Sequence, residues 1–313
     1  MKVVILEPLQ LPEDVVLKEF GSLKCEVMAY NTKPKDAAEI VERCEEADIM
    51  VVVNTPVNSE ILEKLRNLKM IAVSFTGYDH IDIEKCRETG IIVSNVPEYS
   101  TNSVAELVFG LIISSARKIV ECDRAVRDGK DSSSLLGMEL YGKTIGVIGT
   151  GKIGHRVCEI ALAFGMNVLA YSRTERKDLE IKGVKYVTLE ELLKRSDIVT
   201  VHVPLNKQTE GLIGERELSL MKYGAIIVNT ARGRVIDSKS LAKMLEKGKL
   251  KACLDVFDME PPLPSNYPLR NPKNSVLTPH VGYYTKEALE RRLKITVENI
   301  RAFMEGDPKN VVS

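Results

Sequence analysis

Short unbroken runs of Val, Ile, Leu and Ala alternate along the chain with stretches in which apolar residues recur every three or four positions. An unbroken apolar run suits a strand covered on both faces, and the amphipathic stretches suit the helices that cover it. In the first hundred residues the pattern predicts strands near 2–6, 26–30, 48–53, 69–73 and 91–93, with helices between them such as Ser59 to Arg66. A second series opens at Thr144-Ile145-Gly146-Val147-Ile148 and continues through 167–171, 184–187, 197–203, 225–229, 250–254 and 275–278. The fold class expected is α/β with two doubly wound parallel-sheet domains, although no residue-level repeat links the two series.

Between the series a single long helix is predicted from Asn102 to Asp128, closed by Gly129, with Ser103 and Glu106 at capping-box spacing at its start. A final helix is expected over 284–305, with Glu287–Arg291 and Glu290–Lys294 as i,i+4 pairs and Gly306 as its stop before Pro308. The stretch Gly129-Lys130-Asp131-Ser132-Ser133-Ser134 reads as a mobile loop. The opening Met1-Lys2-Val3-Val4-Ile5-Leu6 is cut short by Glu7-Pro8, so it reads as a buried strand, not a signal peptide or membrane span.

Composition narrows the class of function. A chain of 313 residues suits two domains, and 44% hydrophobic with 28% charged residues is ordinary for a globular protein. Lys plus Arg and Asp plus Glu each number 44, which leaves no electrostatic case for nucleic acid or an anionic membrane. The six cysteines, at 25, 44, 86, 122, 158 and 253, form no Cys-x-x-Cys pair and no zinc spacing with histidine. They are expected to be buried free thiols in a reducing, cytoplasmic protein without a metal.

The sharpest local signal is Gly149-Thr150-Gly151-Lys152-Ile153-Gly154, which follows an apolar strand and opens an amphipathic helix bearing Val157, Ile160, Ala161 and Phe164. In that context Gly149 allows the tight turn and Gly151 lets the backbone approach a pyrophosphate. Gly154 lets helix and strand pack, and the helix N-terminus offers N–H groups to the anion. The next strand should end in an acidic residue that grips the adenosine ribose of NAD. It ends instead in Tyr171-Ser172-Arg173-Thr174. A carboxylate there repels a 2′-phosphate, whereas a serine beside an arginine accepts one, so NADP is expected in preference to NAD.

Arg232, Glu260 and His280 each follow a predicted buried strand, where open α/β sheets hold their ligands. Reduction of a 2-oxo acid needs a cation for the carboxylate, a proton donor for the carbonyl oxygen, and a carboxylate that keeps the donor protonated. Arg, His and Glu supply these in turn. Any one of them alone is better read as an ordinary loop residue; together, downstream of a dinucleotide fingerprint, they point to this chemistry.

On these residues the chain resembles the D-isomer-specific 2-hydroxyacid dehydrogenases. The matching segments are Val147-Ile148 with the glycine-rich turn, Asn229-Thr230-Ala231-Arg232-Gly233, Leu254-Asp255-Val256-Phe257 with Glu260-Pro261, and Thr278-Pro279-His280-Val281-Gly282. Asn95-Val96-Pro97, Ser103-Val104-Ala105-Glu106 and His202-Val203-Pro204-Leu205 match as well. The resemblance implies that His280 is the acid/base, Glu260 its partner and Arg232 the carboxylate anchor. It also implies that Ser74-Phe75-Thr76-Gly77-Tyr78, with Asn54, meets the substrate through backbone amides. The cofactor would touch Val203, Pro204, Thr209, Thr230, Ala231, Arg232, Asp255, His280 and Gly282 besides the glycine-rich turn and Ser172, Arg173 and Thr174, with Asp255 tuning the nicotinamide end.

The resemblance further implies a discontinuous substrate-binding domain, 1–98 plus 282–313, a dinucleotide-binding domain over 99–281, and a homodimer built on the helix after Asn102. Asn54-Thr55-Pro56-Val57-Asn58 and Phe75-Thr76-Gly77-Tyr78-Asp79 resemble the glycerate dehydrogenase, or hydroxypyruvate/glyoxylate reductase, branch. Asn54-Thr55-Pro56 stands in place of an arginine-bearing segment associated with a phosphorylated substrate, and the chain stops soon after the last helix, without the regulatory domain of long phosphoglycerate dehydrogenases. The chain has no Trp, and Tyr283, Tyr284 and Ser132–Ser134 occupy regions where many relatives carry one. A phosphoglycerate or D-lactate type of dehydrogenase, a relative acting on formate or phosphite, and a dinucleotide-sensing corepressor are the competing expectations.

Overall fold

The computed structural model describes residues 1–313. The chain forms two compact units, one of Met1–Ser100 with Tyr284–Ser313 and one of Thr101–Tyr283; each break falls just downstream of the expected position. The first segment holds β1 (Lys2–Ile5), α1 (Glu13–Phe20), β2 (Glu26–Ala29), α2 (Ala37–Cys44), β3 (Ile49–Val52), α3 (Ser59–Lys64), β4 (Met70–Val73), α4 (Ile83–Thr89) and β5 (Ile92–Ser94). The middle segment begins with α5 (Thr101–Ala116), α6 (Ile119–Arg127), β6 (Thr144–Ile148), α7 (Lys152–Ala163), β7 (Asn167–Tyr171), α8 (Lys177–Ile181) and β8 (Lys185–Tyr186). It continues through α9 (Leu189–Arg195), β9 (Ile198–Val201), α10 (Glu215–Leu220), β10 (Ala225–Asn229), α11 (Ser238–Glu246), β11 (Leu250–Leu254) and β12 (Ser275–Leu277). The last segment is α12 (Lys286–Met304) and a short tail.

Both sheets are parallel throughout. The first has the order β2-β1-β3-β4-β5, the second β12-β11-β10-β9-β6-β7-β8. Strands such as β3, with every residue of Ile49–Val52 buried, are covered on both faces, which is why they read as unbroken apolar runs and not as alternating ones. In the first unit α12 packs on β4. The Ser74 and Thr296 hydroxyls pair at 2.9 Å, and Asn299 Nδ2 donates to Asn95 O at 2.8 Å. The tail closes the β5 edge by an antiparallel bridge, Ser94 to Val311, with Val312 N donating to Val93 O.

Two helix expectations need correction. The single helix over 102–128 is two helices, because Lys118 turns left-handed (φ 53°) between α5 and α6. The cause is tertiary: Met138 N, on the returning chain, donates to the terminal Ala116 carbonyl at 2.8 Å, and a Cβ on Gly137 would lie 2.9 Å from that same oxygen. The start also lies upstream of the supposed cap, so Ser103 and Glu106 sit inside α5. In α12, Arg291 donates to the Tyr99 carbonyl at 2.9 Å and makes no ion pair with Glu287. Four cysteines are buried, but Cys25 and Cys122 are only half-buried. No helix is long and apolar enough to cross a membrane.

Candidate active site

In the second unit the strand order reverses between β6 and β9, and open parallel sheets place ligands at such a reversal. A cleft of about 540 Å³ lies there, walled by the turns that follow β6, β7 and β9. Gly149, Thr150 and Gly151 form one wall, Tyr171 to Thr174 with Arg176 another, and His202, Val203, Pro204, Asn206, Gln208, Thr209 and Leu212 the third. Gly149 has φ +92°, and a Cβ there would meet His202 O at 2.8 Å. A Cβ on Gly154 would lie 1.9 Å from Gly149 O, so only glycine allows α7 to start this close to the turn.

Gly151 differs from its two partners, since nothing lies within 4 Å of a Cβ built on it. It needs to be small only toward the cleft, where a bound group would approach. The first-turn amides of a helix have no acceptor within the helix, and α7 begins at Lys152, beside that space. The Thr230 hydroxyl beyond β10 is buried with no hydrogen-bond partner. A phosphate-bearing dinucleotide fits this arrangement of open glycine, helix N-terminus and unspent hydroxyl.

Among the expected cofactor residues, Gly149, Gly151, Ser172, Arg173, Thr174, Val203, Pro204 and Thr209 line the cleft. Lys152, Ile153 and Gly154 stand behind the turn as the first residues of α7. Thr150, Arg176, His202, Asn206, Gln208 and Leu212 are additional lining residues. Arg173 Nη1 donates to Gln208 Oε1 at 3.2 Å, so it spans the cleft mouth. Lys177 takes no part in the wall. Burial pushes His202 down to about 3, leaving its imidazole neutral, with Nε2 2.9 Å from the Thr200 hydroxyl.

Arg232, Glu260 and His280 follow β10, β11 and β12, which are neighbours in the sheet. His280 Nδ1 lies 3.0 Å from both oxygens of Glu260. His280 has φ +57°, and its backbone N–H donates to Asp255 O at 2.8 Å. The Tyr283 ring packs edge-on to the imidazole at 5.6 Å. Asn229 ties the Arg232 loop at both ends: its Nδ2 donates to Arg232 O at 2.9 Å and its Oδ1 accepts from Ala231 N at 3.0 Å. A Cβ on Gly233 would fall 1.8 Å from Phe257 C, so glycine is what lets this loop lie against the one leading to Glu260.

Asp255 is buried, and its carboxylate is taken up by Thr278 Oγ1 at 2.6 Å and by the amides of Val281 and Gly282 at 2.8 Å each. It therefore builds the turn that presents His280. In the first unit Phe75 is also a core residue, its ring 6.1 Å from that of Tyr99, so only its backbone is available to a ligand. The Ser74 amide is spent on Val52 O, while Thr76 anchors itself to Val96 O through its hydroxyl at 2.8 Å. Gly77 is half-buried beside it, and Asn54 N donates to Glu7 Oε1 at 3.0 Å.

Comparison with known proteins matches residues 109–282 to the family model described as D-isomer specific 2-hydroxyacid dehydrogenase, NAD binding domain. The chain is 39% identical to a glyoxylate reductase of Thermococcus litoralis, over 100% of this chain and 97% of that one. It is 41% identical to a D-3-phosphoglycerate dehydrogenase of Methanocaldococcus jannaschii, over 100% of this chain but 59% of the relative. Among solved structures, an acyclic imino acid reductase (Bsp5) in complex with NADPH and D-Arg superimposes with a TM-score of 0.91 at 35% identity, covering 100% of both chains. A parallel sheet with an open dinucleotide cleft, a His–Glu pair and an arginine loop thus stand in a chain that its relatives match along its whole length, and the protein belongs to the D-isomer-specific 2-hydroxyacid dehydrogenase family.

Proposed function

We propose that this enzyme reduces a small unphosphorylated 2-oxo acid, hydroxypyruvate or glyoxylate, to D-glycerate or glycolate, with NADPH preferred over NADH. The observation that carries the reading is the His280 imidazole held by both oxygens of Glu260 beside the Arg232 loop, on three adjacent strands. When bound, the nicotinamide supplies the hydride that reaches the substrate's carbonyl carbon. The rest is done by side chains. Arg232 engages the carboxylate through its fork, which orients the carbonyl. With Nδ1 turned to Glu260, His280 presents its Nε2 edge to the carbonyl oxygen and delivers the proton; Glu260 stabilises the charged imidazolium before delivery.

The unit of Met1–Ser100 and Tyr284–Ser313 is assigned to substrate binding, through the backbone of Phe75, Thr76 and Gly77 together with Asn54. Ser172 in place of a carboxylate, with Arg173 on the cleft wall, supports NADPH, and the imino acid reductase solved with NADPH is consistent with it. The protein is further assigned a homodimer and a cytoplasmic location. Support for the dimer is that α6 buries none of its residues while Val126, Leu136 and Tyr141 are 77%, 90% and 78% exposed.

The test is a panel of 2-oxo acids assayed with NADPH and NADH in parallel, with 3-phosphohydroxypyruvate included. The reading requires kcat above about 1 s⁻¹ on hydroxypyruvate or glyoxylate. Faster turnover of the phosphorylated acid would assign the phosphoglycerate activity instead, and no turnover on any acid would favour a dinucleotide sensor.

A further inference from the structure

Tyr186 lies outside the cofactor cleft, on the short strand β8, yet its hydroxyl joins two of the cleft's walls. It accepts from Arg176 N at 3.0 Å and donates to Thr150 Oγ1 at 3.0 Å. The Thr150 hydroxyl in turn donates to Thr174 O at 3.5 Å. Each hydroxyl accepts one bond and gives one, so the chain runs in one direction, from the Arg176 amide to the Thr174 carbonyl. It starts and ends in the loop after β7 and passes through the glycine-rich turn after β6. Thr150 is only 2% exposed, so solvent cannot replace the partner its hydroxyl would lose.

The loop held in this way carries Ser172, Arg173 and Thr174; Arg173 and Thr174 are exposed, and besides this chain the loop's side-chain ties are the solvent-facing ones of Arg173 to Gln208 and Arg176 to Asp178. Its distance from the glycine-rich turn matters chemically, because the pyrophosphate and the 2′ position of one adenosine ribose are a fixed length apart. A fork on a 2′-phosphate is sensitive to displacement, whereas a water-exposed 2′-hydroxyl tolerates it. We propose that Tyr186 is a positioning residue for cofactor discrimination: its hydroxyl fixes the 172–176 loop against the glycine-rich turn and so sets the preference between 2′-phosphate and 2′-hydroxyl dinucleotides. The proposal rests on the assignment of this cleft to a nicotinamide dinucleotide and deepens it.

The experiment measures Kd for NADPH and for NADH by fluorescence titration of the full-length protein, and follows the ratio of the two. Tyr186→Phe should move that ratio toward one by about tenfold, the size of one charge-assisted contact. Thr150→Val cuts the same link from its other side and should move the ratio equally, and the double variant should move it no further. Thr150→Ser keeps the hydroxyl and should restore the wild-type ratio. An unchanged ratio in Tyr186→Phe, even with a lowered Tm, reduces Tyr186 to a structural role and overturns the proposal, as would additive effects of the two substitutions. Should Tyr186→Phe fail to fold, Thr150→Val against Thr150→Ser carries the same test. The wild-type ratio separately tests the cofactor reading: a preference for NADH rejects NADPH, while a shift in that ratio on losing the hydroxyl still upholds Tyr186.

Discussion

The two parallel sheets reverse their strand order in the same manner, yet the turns at the two reversals are built differently. In the second unit the turns after β6, β7 and β9 stand apart around a cleft of about 540 Å³. In the first unit the reversal lies between β1 and β3, and there the protein fills the position with its own side chain. Glu7, two residues past β1 and 1% exposed, places one oxygen on the amides of Val53, Asn54 and Thr55 at 2.8, 3.0 and 2.9 Å. Successive N–H groups converging on one oxygen make an anion site, here occupied from within. Topology thus offers a reversal to both sheets: just past its first strand, one carries an open glycine-rich turn from Gly149, and the other a carboxylate, Glu7, that satisfies the facing amides.

The contrast can be broken by experiment, most severely at the reacting end of the open sheet. His280→Asn suits the left-handed backbone at this position and removes the proton donor. Turnover should fall by about 10²–10⁴-fold while cofactor Kd stays within about twofold. Residual activity above a tenth of wild type would remove His280 from the reaction. At the plugged reversal, Glu7→Ala strands three backbone donors that have no other acceptor. The expected cost is about 2–4 kcal/mol, read from the urea midpoint. Acetate or phosphate at tens of millimolar should recover part of it in the variant and none in wild type, turning the plug back into a site. No recovery would mean that the nest exists only around Glu7.

Gly151→Val tests openness itself. With free space around its Cβ and an ordinary φ of −64°, the fold should keep its Tm, while Kd for NADPH rises by about a hundredfold as the side chain enters the pyrophosphate position. A large drop in Tm instead would show that the cleft wall is packed. The smallest effect concerns His202. Held down to about 3 by burial, it stays neutral when folded but takes up a proton near pH 6.5 when unfolded. Stability should therefore be lost as pH falls below about 6.5, by about 2 kcal/mol at pH 5. His202→Asn should flatten that slope, and an unaltered slope would place the acid sensitivity elsewhere.

These differences also mark what sequence could convey. Strand β6 is found at its predicted bounds because Ile145, Val147 and Ile148 are buried β-branched residues and a glycine of positive φ stops the run, a wholly local signal. The loops carrying Arg232, Glu260 and His280 were legible as strand ends, but that β10, β11 and β12 adjoin is a property of sheet order, which no local pattern encodes. The break at Lys118 was hidden because its cause, the Met138 amide, arrives from the far side of a loop. Glu7 read only as the end of an apolar run; nothing nearby in sequence announces that its acceptor is needed some forty-six residues later. That the Asp255 carboxylate also holds the turn at 278, 281 and 282 was not legible, because those partners lie on the next strand's loop.

The tail that seals β5 has a consequence for how the protein is made. Residues Met1–Ser100 leave the ribosome early, but Ser74, Ser94 and Asn95 await Thr296, Lys309 and Asn299, which emerge 222, 215 and 204 residues later. At ~5–20 residues per second the wait is on the order of ten to forty seconds, during which the continuous middle unit can fold alone. Over that interval the flank of β4 that α12 will cover is bare and β5 is an unsealed edge, the type of surface that chaperones hold and that aggregation exploits. The first sheet thus gains its α12 cover and its edge bridge only after the middle unit has been made.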